Sequence, residues 1–224
     1  MTIQKINFDL PPAGTLTANH AVDDPLPHYY RPFVGWLYRR RIETGLELLT
    51  PPYARVLEVG YGSGILLPTL AKLGRELHGV DLASDPAVVG ARLERIGVKA
   101  HLVKANLCEW QEARDQFDLV VAFSVLEHIP DPATALAAIA RVLRPGGSLL
   151  VGMPRVDRFM TALFPLIGYQ NIDSHHVTSH RDVRRAAEPY FQLVRAKGFP
   201  WFLPGWACLY HNLLFRKRED AGRP

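Results

Sequence analysis

The sequence predicts an α/β fold with an open, doubly wound, mostly parallel seven-stranded sheet and an antiparallel strand at one edge. Between residues 55 and 153, short apolar runs alternate with single amphipathic segments, a pattern that favours parallel strands joined by right-handed helical crossovers. A glycine-rich turn follows the first apolar run. Two later runs, Tyr190–Ala196 and Cys208–Phe215, have only Gly- and Pro-rich sequence between them, which indicates a closing hairpin at one sheet edge.

Residues 1–52 are expected to form an N-terminal arm and a helix that cover the ligand site. Residues 1–27 are rich in Pro, Asp, Asn and Thr and predict irregular structure, whereas apolar positions from 28 to 49 recur at helical spacing. Thr50-Pro51-Pro52 ends that helix. Tyr29, Tyr30 and Trp36 either roof the ligand or pack the helix onto the sheet.

Residues 53–153 are expected to form the ligand-binding core. Strands are predicted at 55–59, 76–80, 101–103, 117–123 and 148–153, and a helix at 65–73. Two further helices are expected to start at Asp85-Pro86 and Asp131-Pro132, because each pair offers a capping carboxylate followed by proline at the first helical position. Arg144-Pro145-Gly146-Gly147 ends the second of these helices.

Residues 154–218 are expected to supply a lid insertion and the C-terminal edge strands of the same domain, and 219–224 a tail. Phe159–Tyr169 is apolar without a clean period, and predicts either a substrate lid or a core decoration or dimer contact. Ser179 and Asp182 have the spacing of a capping box at the start of a short helix.

Composition narrows the function classes. The chain has 224 residues, which fits one domain, and its net charge of +4 is small. Its basic clusters, including Arg39-Arg40-Arg41, lack an interleaved aromatic stacking platform, so we interpret them as solvated faces and expect no nucleic-acid partner. No apolar run reaches the ~18 residues of a transmembrane helix. Two distant cysteines suit a reducing cytoplasm, so a cytoplasmic location is expected.

The strongest functional signal is the turn from Glu58 to Gly64. Open α/β sheets bind ligands at the carboxyl ends of their strands, and the glycines let a ligand approach the backbone. Ile65 occupies the place of the third glycine in the dinucleotide pattern. The carboxylate of Glu58 would repel a pyrophosphate but suits a ligand that carries an ammonium and a sulfonium. Asp81, at the end of the second strand, is placed to accept both hydroxyls of a ribose.

With these motifs in place, residues 55–153 resemble the core of the class I S-adenosylmethionine-dependent methyltransferases, which have a Rossmann-like fold. The sequence is most similar to the small-molecule branch that includes the ubiquinone and menaquinone methyltransferases. The resemblance covers about half the chain and rests on four stretches in the right order: Val56–Gly64, Gly79–Asp81, Phe117–His128 and Leu143–Gly147.

The resemblance implies S-adenosyl-L-methionine as the cofactor and assigns roles to individual residues. Glu58, Gly60, Gly62 and Gly64 would line its methionine half; Asp81 would hold the ribose, and Leu82 would lie against the adenine. Asn106, followed by Leu107, stands where the family often has an aspartate that bonds the adenine amino group. Phe123 and Ser124 would pass near the sulfonium. Tyr61 departs from the small residue or cysteine usual in the family, and either covers the cofactor or points outward.

Catalytic groups are less clear from the sequence. His128 is a candidate base, with a histidine packed behind the strand as the simpler interpretation. Among His175, His176 and His180, one histidine (His176 is the candidate) would reach the substrate pocket, as in similar family members. The spacing gives no metal site, since only Asp173 accompanies them.

The leading hypothesis is methyl transfer to a small, apolar or aromatic metabolite by in-line displacement, by a protein that is a candidate homodimer. A module that binds S-adenosylmethionine without catalysis is the second hypothesis. A nicotinamide oxidoreductase is a third, disfavoured by Glu58 and Ile65. An RNA methyltransferase is a weaker fourth, because no nucleic-acid motif is evident.

Overall fold

A computed structural model describes residues 6–18, 24–111, 114–155 and 178–219 of the chain. Seven strands form one sheet in the order β3-β2-β1-β4-β5-β7-β6. Their bounds are β1 Tyr53–Val59, β2 Gly74–Asp81, β3 His101–Lys104, β4 Phe117–Phe123, β5 Leu143–Pro154, β6 Phe191–Phe199 and β7 Tyr210–Lys217. Strands β1 to β5 pair in parallel, and β7 is antiparallel to both β5 and β6.

The predicted fold class is confirmed, and the structure refines the edge. The hairpin of β6 and β7 closes the sheet as expected, but the outermost strand is β6. The antiparallel strand β7 lies one place inside it, because its longer apolar run pairs with β5 along Ser148 to Pro154. The first residue of β7, Tyr210, therefore lies beside the carboxyl end of β5.

Six helices flank the sheet in the described part of the chain: α1 Leu26–Tyr29, α2 Pro32–Leu46, α3 Leu67–Leu70, α4 Pro86–Glu94, α5 Pro132–Val142 and α6 His180–Ala187. The N-terminal helix predicted from 28 to 49 is split before Pro32, which starts α2 at its first position. The helix predicted at 65–73 is wrong in extent, since α3 is a single turn and β2 begins at Gly74. A one-turn helix supplies little dipole to the glycine turn.

The predicted helix starts are confirmed. Asp85 accepts hydrogen bonds from the backbone N–H groups of Ala87 and Val88, and Asp131 accepts from Ala133 and Thr134. Ser179 and Asp182 form the reciprocal capping box of α6. These caps fix where α4, α5 and α6 leave the sheet, because each satisfies N–H groups that have no partner within the helix.

The sheet separates two hydrophobic cores. Successive residues of a strand point to opposite faces, so Val56 packs with the N-terminal arm, α2 and α4, whereas Leu57 packs with α5 and α6. The arm itself belongs to the first core: Phe8 is buried and its ring stacks on Tyr29 at a centroid distance of 5.4 Å. The arm thus holds α1 and α2 against the sheet.

Two features predicted from the sequence lie outside the described residues, and a third concerns membrane-spanning helices. The apolar stretch Phe159–Tyr169, with His175 and His176, lies outside the described residues. Within the described residues, no helix is both long and apolar enough to cross a membrane.

Candidate functional site

The candidate site lies at the carboxyl edge of the parallel strands. The register places the ends of β1, β2, β3 and β4 side by side, so the structure brings Glu58, Asp81, Asn106 and Phe123 to one edge. Strand β1 lies between β2 and β4, and the chain reverses its winding there. This is the switch point at which open α/β sheets bind ligands.

The glycine turn after β1 is shaped by close approach on one side and open space on another. Gly60, Gly62 and Gly64 all have positive φ, at 74°, 51° and 81°. A Cβ at Gly60 would lie 2.4 Å from a methyl of Val125, and one at Gly64 would lie 2.8 Å from Val89. A Cβ at Gly62 would meet nothing within 4 Å. A ligand can therefore approach the backbone closely at Gly62.

Asp81 organises this turn. One carboxylate oxygen accepts a hydrogen bond from the N–H of Gly62 at 2.9 Å, and the other accepts from Ala83 and Ser84 at 2.9 and 2.8 Å. Although burial opposes ionisation, these backbone hydrogen bonds hold the pKa of Asp81 below its ordinary value. Asp81 is therefore an ionised acceptor, and the oxygen that accepts from Gly62 retains a lone pair for a ribose hydroxyl.

Glu58 is the buried carboxyl group at the end of β1. Burial, and secondly the negative charge of Asp81, raise the pKa of Glu58 well above its ordinary value. Its Oε2 atom is buried and has no hydrogen-bond partner among the described residues. An ammonium group would satisfy this oxygen and restore the ionised form, so the residues present fit the methionine half of S-adenosylmethionine.

The structure excludes one of the two positions predicted for Tyr61. The sequence left its side chain either over the cofactor or facing outward, and Tyr61 is buried, so it does not face outward. The ring is buried against Gly79, and the hydroxyl donates to the carbonyl oxygen of Ser84 at 3.3 Å. Tyr61 thus packs the glycine turn onto β2, where glycine at 79 leaves room for the ring.

The residues predicted to lie beside the adenine differ in how far their side chains are available to a ligand. Leu82 is exposed beside the turn, as a side chain that lies against a ligand ring must be. Asn106 uses its oxygen to accept from the N–H of Cys108 at 3.1 Å and its amide to donate to Glu109 at 2.9 Å. Leu107 is buried in the core beneath α5, so only its backbone is left for a ligand.

Phe123 and Ser124 connect the end of β4 to the neighbouring strands β5 and β7. The Phe123 ring lies over Gly152, where a Cβ would be 2.1 Å from it. Ser124 has a positive φ of 54° and donates its N–H to the carbonyl of Gly152 at 2.8 Å. Its hydroxyl shares a 3.0 Å hydrogen bond with the hydroxyl of Tyr210. The end of β4 is thereby joined to the start of β7.

Arg41 was missed by sequence reasoning, which placed it in a solvated basic cluster. Its guanidinium lies over the rings of Tyr38 and Tyr210, at 4.4 and 4.9 Å from their centroids. Burial opposes its charge, but the phenol groups of Tyr210, Tyr29 and Tyr38 keep the pKa of Arg41 above its ordinary value. The neighbouring Arg40 pairs instead with Glu43 at 2.8 Å, which agrees with a surface role for that residue.

Glu127 was also missed, although its neighbour His128 was considered. The Glu127 side chain is 1% exposed, and its Oε2 has no hydrogen-bond partner among the described residues. Burial raises the pKa of Glu127 to about 7, against the opposing charge of Arg41. His128 is exposed on the short 3-10 helix Leu126–His128, so the simpler interpretation of a histidine packed behind the strand is wrong.

Of the three histidines in the predicted cluster, only His180 lies in the described part of the chain. His180 begins α6, and its ring stacks on His211 of β7 at a centroid distance of 3.8 Å. Burial, and then the charges of His180 and Arg155, lower the pKa of His211 to about 4. Across residues 6–18, 24–111, 114–155 and 178–219, no three or more His, Cys, Asp or Glu side chains form a group able to hold a metal ion.

Comparisons with known proteins agree with this geometry. The family model of the methyltransferase domain matches residues 33–190, more than half of the chain. A ubiquinone biosynthesis O-methyltransferase of Hahella chejuensis is 42% identical over 101 residues, which are 44% of this chain and 42% of that relative. The match thus spans less than half the length of that curated relative.

Solved structures share the fold over a longer span. The N-methyltransferase NodS from Bradyrhizobium japonicum, solved with S-adenosyl-L-homocysteine, superposes with a TM-score of 0.62 at 21% identity and covers 88% of this chain and 93% of NodS. The [4+2]-cyclase SpnF gives a TM-score of 0.63 at 16% identity, over 90% and 87% of the two chains. Because a cyclase has the same fold, fold similarity alone does not decide the reaction.

Proposed function

Since the chain belongs to the class I S-adenosylmethionine-dependent methyltransferases, we propose that it transfers a methyl group from that cofactor to a small, apolar or aromatic metabolite. The observation that carries the proposal is the pair of carboxyl groups at adjacent strand ends. Glu58 is buried with an unsatisfied oxygen, whereas Asp81 is held ionised by backbone N–H groups. An ammonium and a ribose diol are the two ligand groups that such a pair suits.

The proposed binding of the cofactor follows the geometry of the turn. Glu58 would accept a hydrogen bond from the ammonium, the backbone at Gly62 would lie along the methionine chain, and Asp81 would accept a hydrogen bond from a ribose hydroxyl. The exposed Leu82 would pack on the adenine, with Asn106 at its amino group. When bound, the cofactor supplies an already activated methyl group.

The protein's own residues would then align the acceptor and exclude water. Arg41, Glu127, Tyr210 and Ser124 form a largely buried polar group beside Phe123, at the same edge of the sheet as Asp81. An acceptor hydroxyl must lose its proton as the new bond forms. Glu127, a buried carboxyl whose pKa lies near neutrality, is our candidate to receive that proton. An oxygen acceptor is supported by the O-methyltransferase relative.

Calorimetry and a transfer assay test the proposal. The chain should bind S-adenosylhomocysteine, and a metabolite extract supplied with methyl-labelled S-adenosylmethionine should yield a labelled small molecule. No binding at millimolar ligand would overturn the proposal. Binding without transfer to any fraction would instead favour the non-catalytic module, and salt-sensitive RNA binding would favour the RNA methyltransferase.

We propose a homodimer, which light scattering behind size exclusion would measure, and a cytoplasmic location, which cell fractionation would test.

A further inference from the structure

The chain carries an exposed aromatic surface at the end of the sheet beyond β5. It consists of Phe33, Trp36, Trp201, Phe202 and Trp206, which are 69%, 43%, 50%, 73% and 75% exposed. Three of the four tryptophans of the chain thus belong to this surface. Large aromatic side chains are normally buried, so a group of five is an unusual patch for a protein surface.

The aromatic surface is nearly continuous. Phe33 stacks on Trp36, Trp36 meets Phe199 edge-on, and Phe199 contacts Trp201, with centroid distances of 6.4, 6.3 and 6.2 Å. Trp201 in turn meets Phe202 at 5.9 Å. Trp206 extends the surface along the same loop, where its carbonyl accepts a hydrogen bond from Arg155. The start of α2 and the loop after β6 therefore carry aromatic rings that contact one another.

This surface lies at the edge of the sheet that carries the candidate site. Phe199 ends β6 and pairs with Tyr210, which also pairs with Pro154 at the carboxyl end of β5. The loop of residues 200–209 therefore leaves the sheet on the same side as Glu58 and Asp81. The indole of Trp36 and the guanidinium of Arg41 come from the same helix, α2.

The charges around the surface indicate the partner. Of the four arginines in residues 25–42, Arg31 is exposed beside Phe33, whereas Arg40 pairs with Glu43 and Glu47 and Arg41 lies in the candidate site. Residues 198–211, which include the loop, contain no acidic residue. The guanidinium of Arg40 lies 5.1 Å from the centroid of the Trp201 ring. Tryptophan favours the boundary between lipid headgroups and acyl chains, and nearby arginine attracts anionic headgroups. A second copy of the chain would present the same face, whose loop has no acidic residue to pair with the exposed Arg31.

We propose that the aromatic surface docks on an anionic lipid bilayer, with the tip of the 200–209 loop inserted at the headgroup level. The edge of the sheet that carries the candidate site then faces the membrane surface, so an apolar acceptor enters from lipid rather than from water. This route for the acceptor rests on the proposed function, whereas the docking does not. Monotopic binding of this kind needs buried aromatic area together with basic residues.

Vesicle sedimentation tests the docking. The full chain should partition onto vesicles of phosphatidylcholine with phosphatidylglycerol, and weakly onto phosphatidylcholine alone. The variant Trp201→Ser/Phe202→Ser/Trp206→Ser should lose about tenfold or more of this partitioning. Val88→Ser, which removes an exposed apolar side chain from α4, is the control and should partition like the unchanged protein.

Fluorescence locates the contact. Brominated lipids should quench most tryptophan emission of the unchanged protein, because three of its four tryptophans belong to the aromatic surface. Calorimetry with S-adenosylhomocysteine should give the same affinity for the triple variant, which shows that it folds and separates docking from the proposed function. Equal partitioning of variant and unchanged protein would overturn the proposal. So would a lipid-free dimer that the triple substitution dissociates, because a second copy would then occupy the surface.

Discussion

The two halves of the candidate site are built in different ways. On the donor side, Glu58, Gly62 and Asp81 come from β1, β2 and the turn between them, within 24 residues of sequence. Most of their hydrogen bonds connect residues close in sequence: Asp81 accepts from the N–H groups of Ala83 and Ser84, and from that of Gly62, 19 residues before it. On the acceptor side, Arg41, Glu127 and Tyr210 come from α2, the end of β4 and the start of β7. Their contacts span up to 169 residues, between Arg41 and Tyr210.

This difference explains what each half does. Local backbone bonds set the donor side rigidly, which suits a cofactor common to a whole family. The acceptor side is assembled from side chains on three distant segments, each free to change without disturbing the glycine turn. Specificity for the acceptor is therefore expected to lie in Arg41, Glu127, Tyr210 and their neighbours.

The largest expected effect separates Glu127 from its neighbour. Glu127→Gln should lower kcat by about a hundredfold or more, because a general base typically contributes at least that factor. His128→Gln, the exposed control on the same 3-10 helix, should change kcat by less than about threefold. Steady-state kinetics with the acceptor found by the labelling screen measures both. The opposite ranking would make His128 the base and leave Glu127 a buried structural acid.

Next, Asp81→Asn should weaken S-adenosylhomocysteine binding by about a hundredfold, since each charge-assisted hydrogen bond contributes roughly 1.5–3 kcal/mol. Calorimetry gives the affinities. Asp182→Asn is the matched control, because this carboxylate also accepts backbone and hydroxyl hydrogen bonds but caps α6 on the other core. An unchanged affinity for Asp81→Asn would remove the ribose role proposed for this residue.

Glu127 also predicts a pH dependence of stability. The pKa of Glu127 in the folded protein is about 7, above the ordinary value of 4.5. The stability that the protonated carboxyl contributes is therefore present at acidic pH and is lost as the pH rises through 7. Relative to the unchanged protein, Glu127→Gln should therefore gain about 2 kcal/mol in unfolding free energy from roughly pH 5 to pH 8. Urea denaturation at both pH values measures this gain. Glu94→Gln, on the surface of α4, should show almost none.

The smallest effect distinguishes backbone strain from ligand contact. Gly62 and Gly97 both have positive φ, 51° and 74°, and a Cβ at either meets nothing within 4 Å. Alanine at either position should cost about 1 kcal/mol of stability. Only Gly62→Ala should also weaken S-adenosylhomocysteine binding, by about tenfold, because its Cβ enters the space along the turn. Equal binding by the two variants would place the cofactor elsewhere.

Much of the fold was predictable because its signals are local. The caps at Asp85, Asp131 and Ser179 fix helix starts through bonds to N–H groups two or three residues away. Strand β4 was predicted at its observed bounds because an uninterrupted apolar run suits a strand buried on both faces. The extent of α3 was not predictable in this way, because the apolar run Ile65–Leu73 is compatible with a long helix and with a single turn. The start of β2 at Gly74 leaves room only for the single turn.

The order of strands and helices, the glycine turn and the acidic residues at the ends of β1 and β2 could be predicted from the amino-acid sequence, because each depends on residues close together in the chain. Three features became visible only in the folded chain: Tyr61 packs inward, Arg41 lies between Tyr38 and Tyr210, and Glu127 is buried. Burial and cross-sheet contact depend on which segments meet after folding. The identity of a charged or aromatic residue in the sequence does not show whether its side chain is exposed to water or buried in the protein.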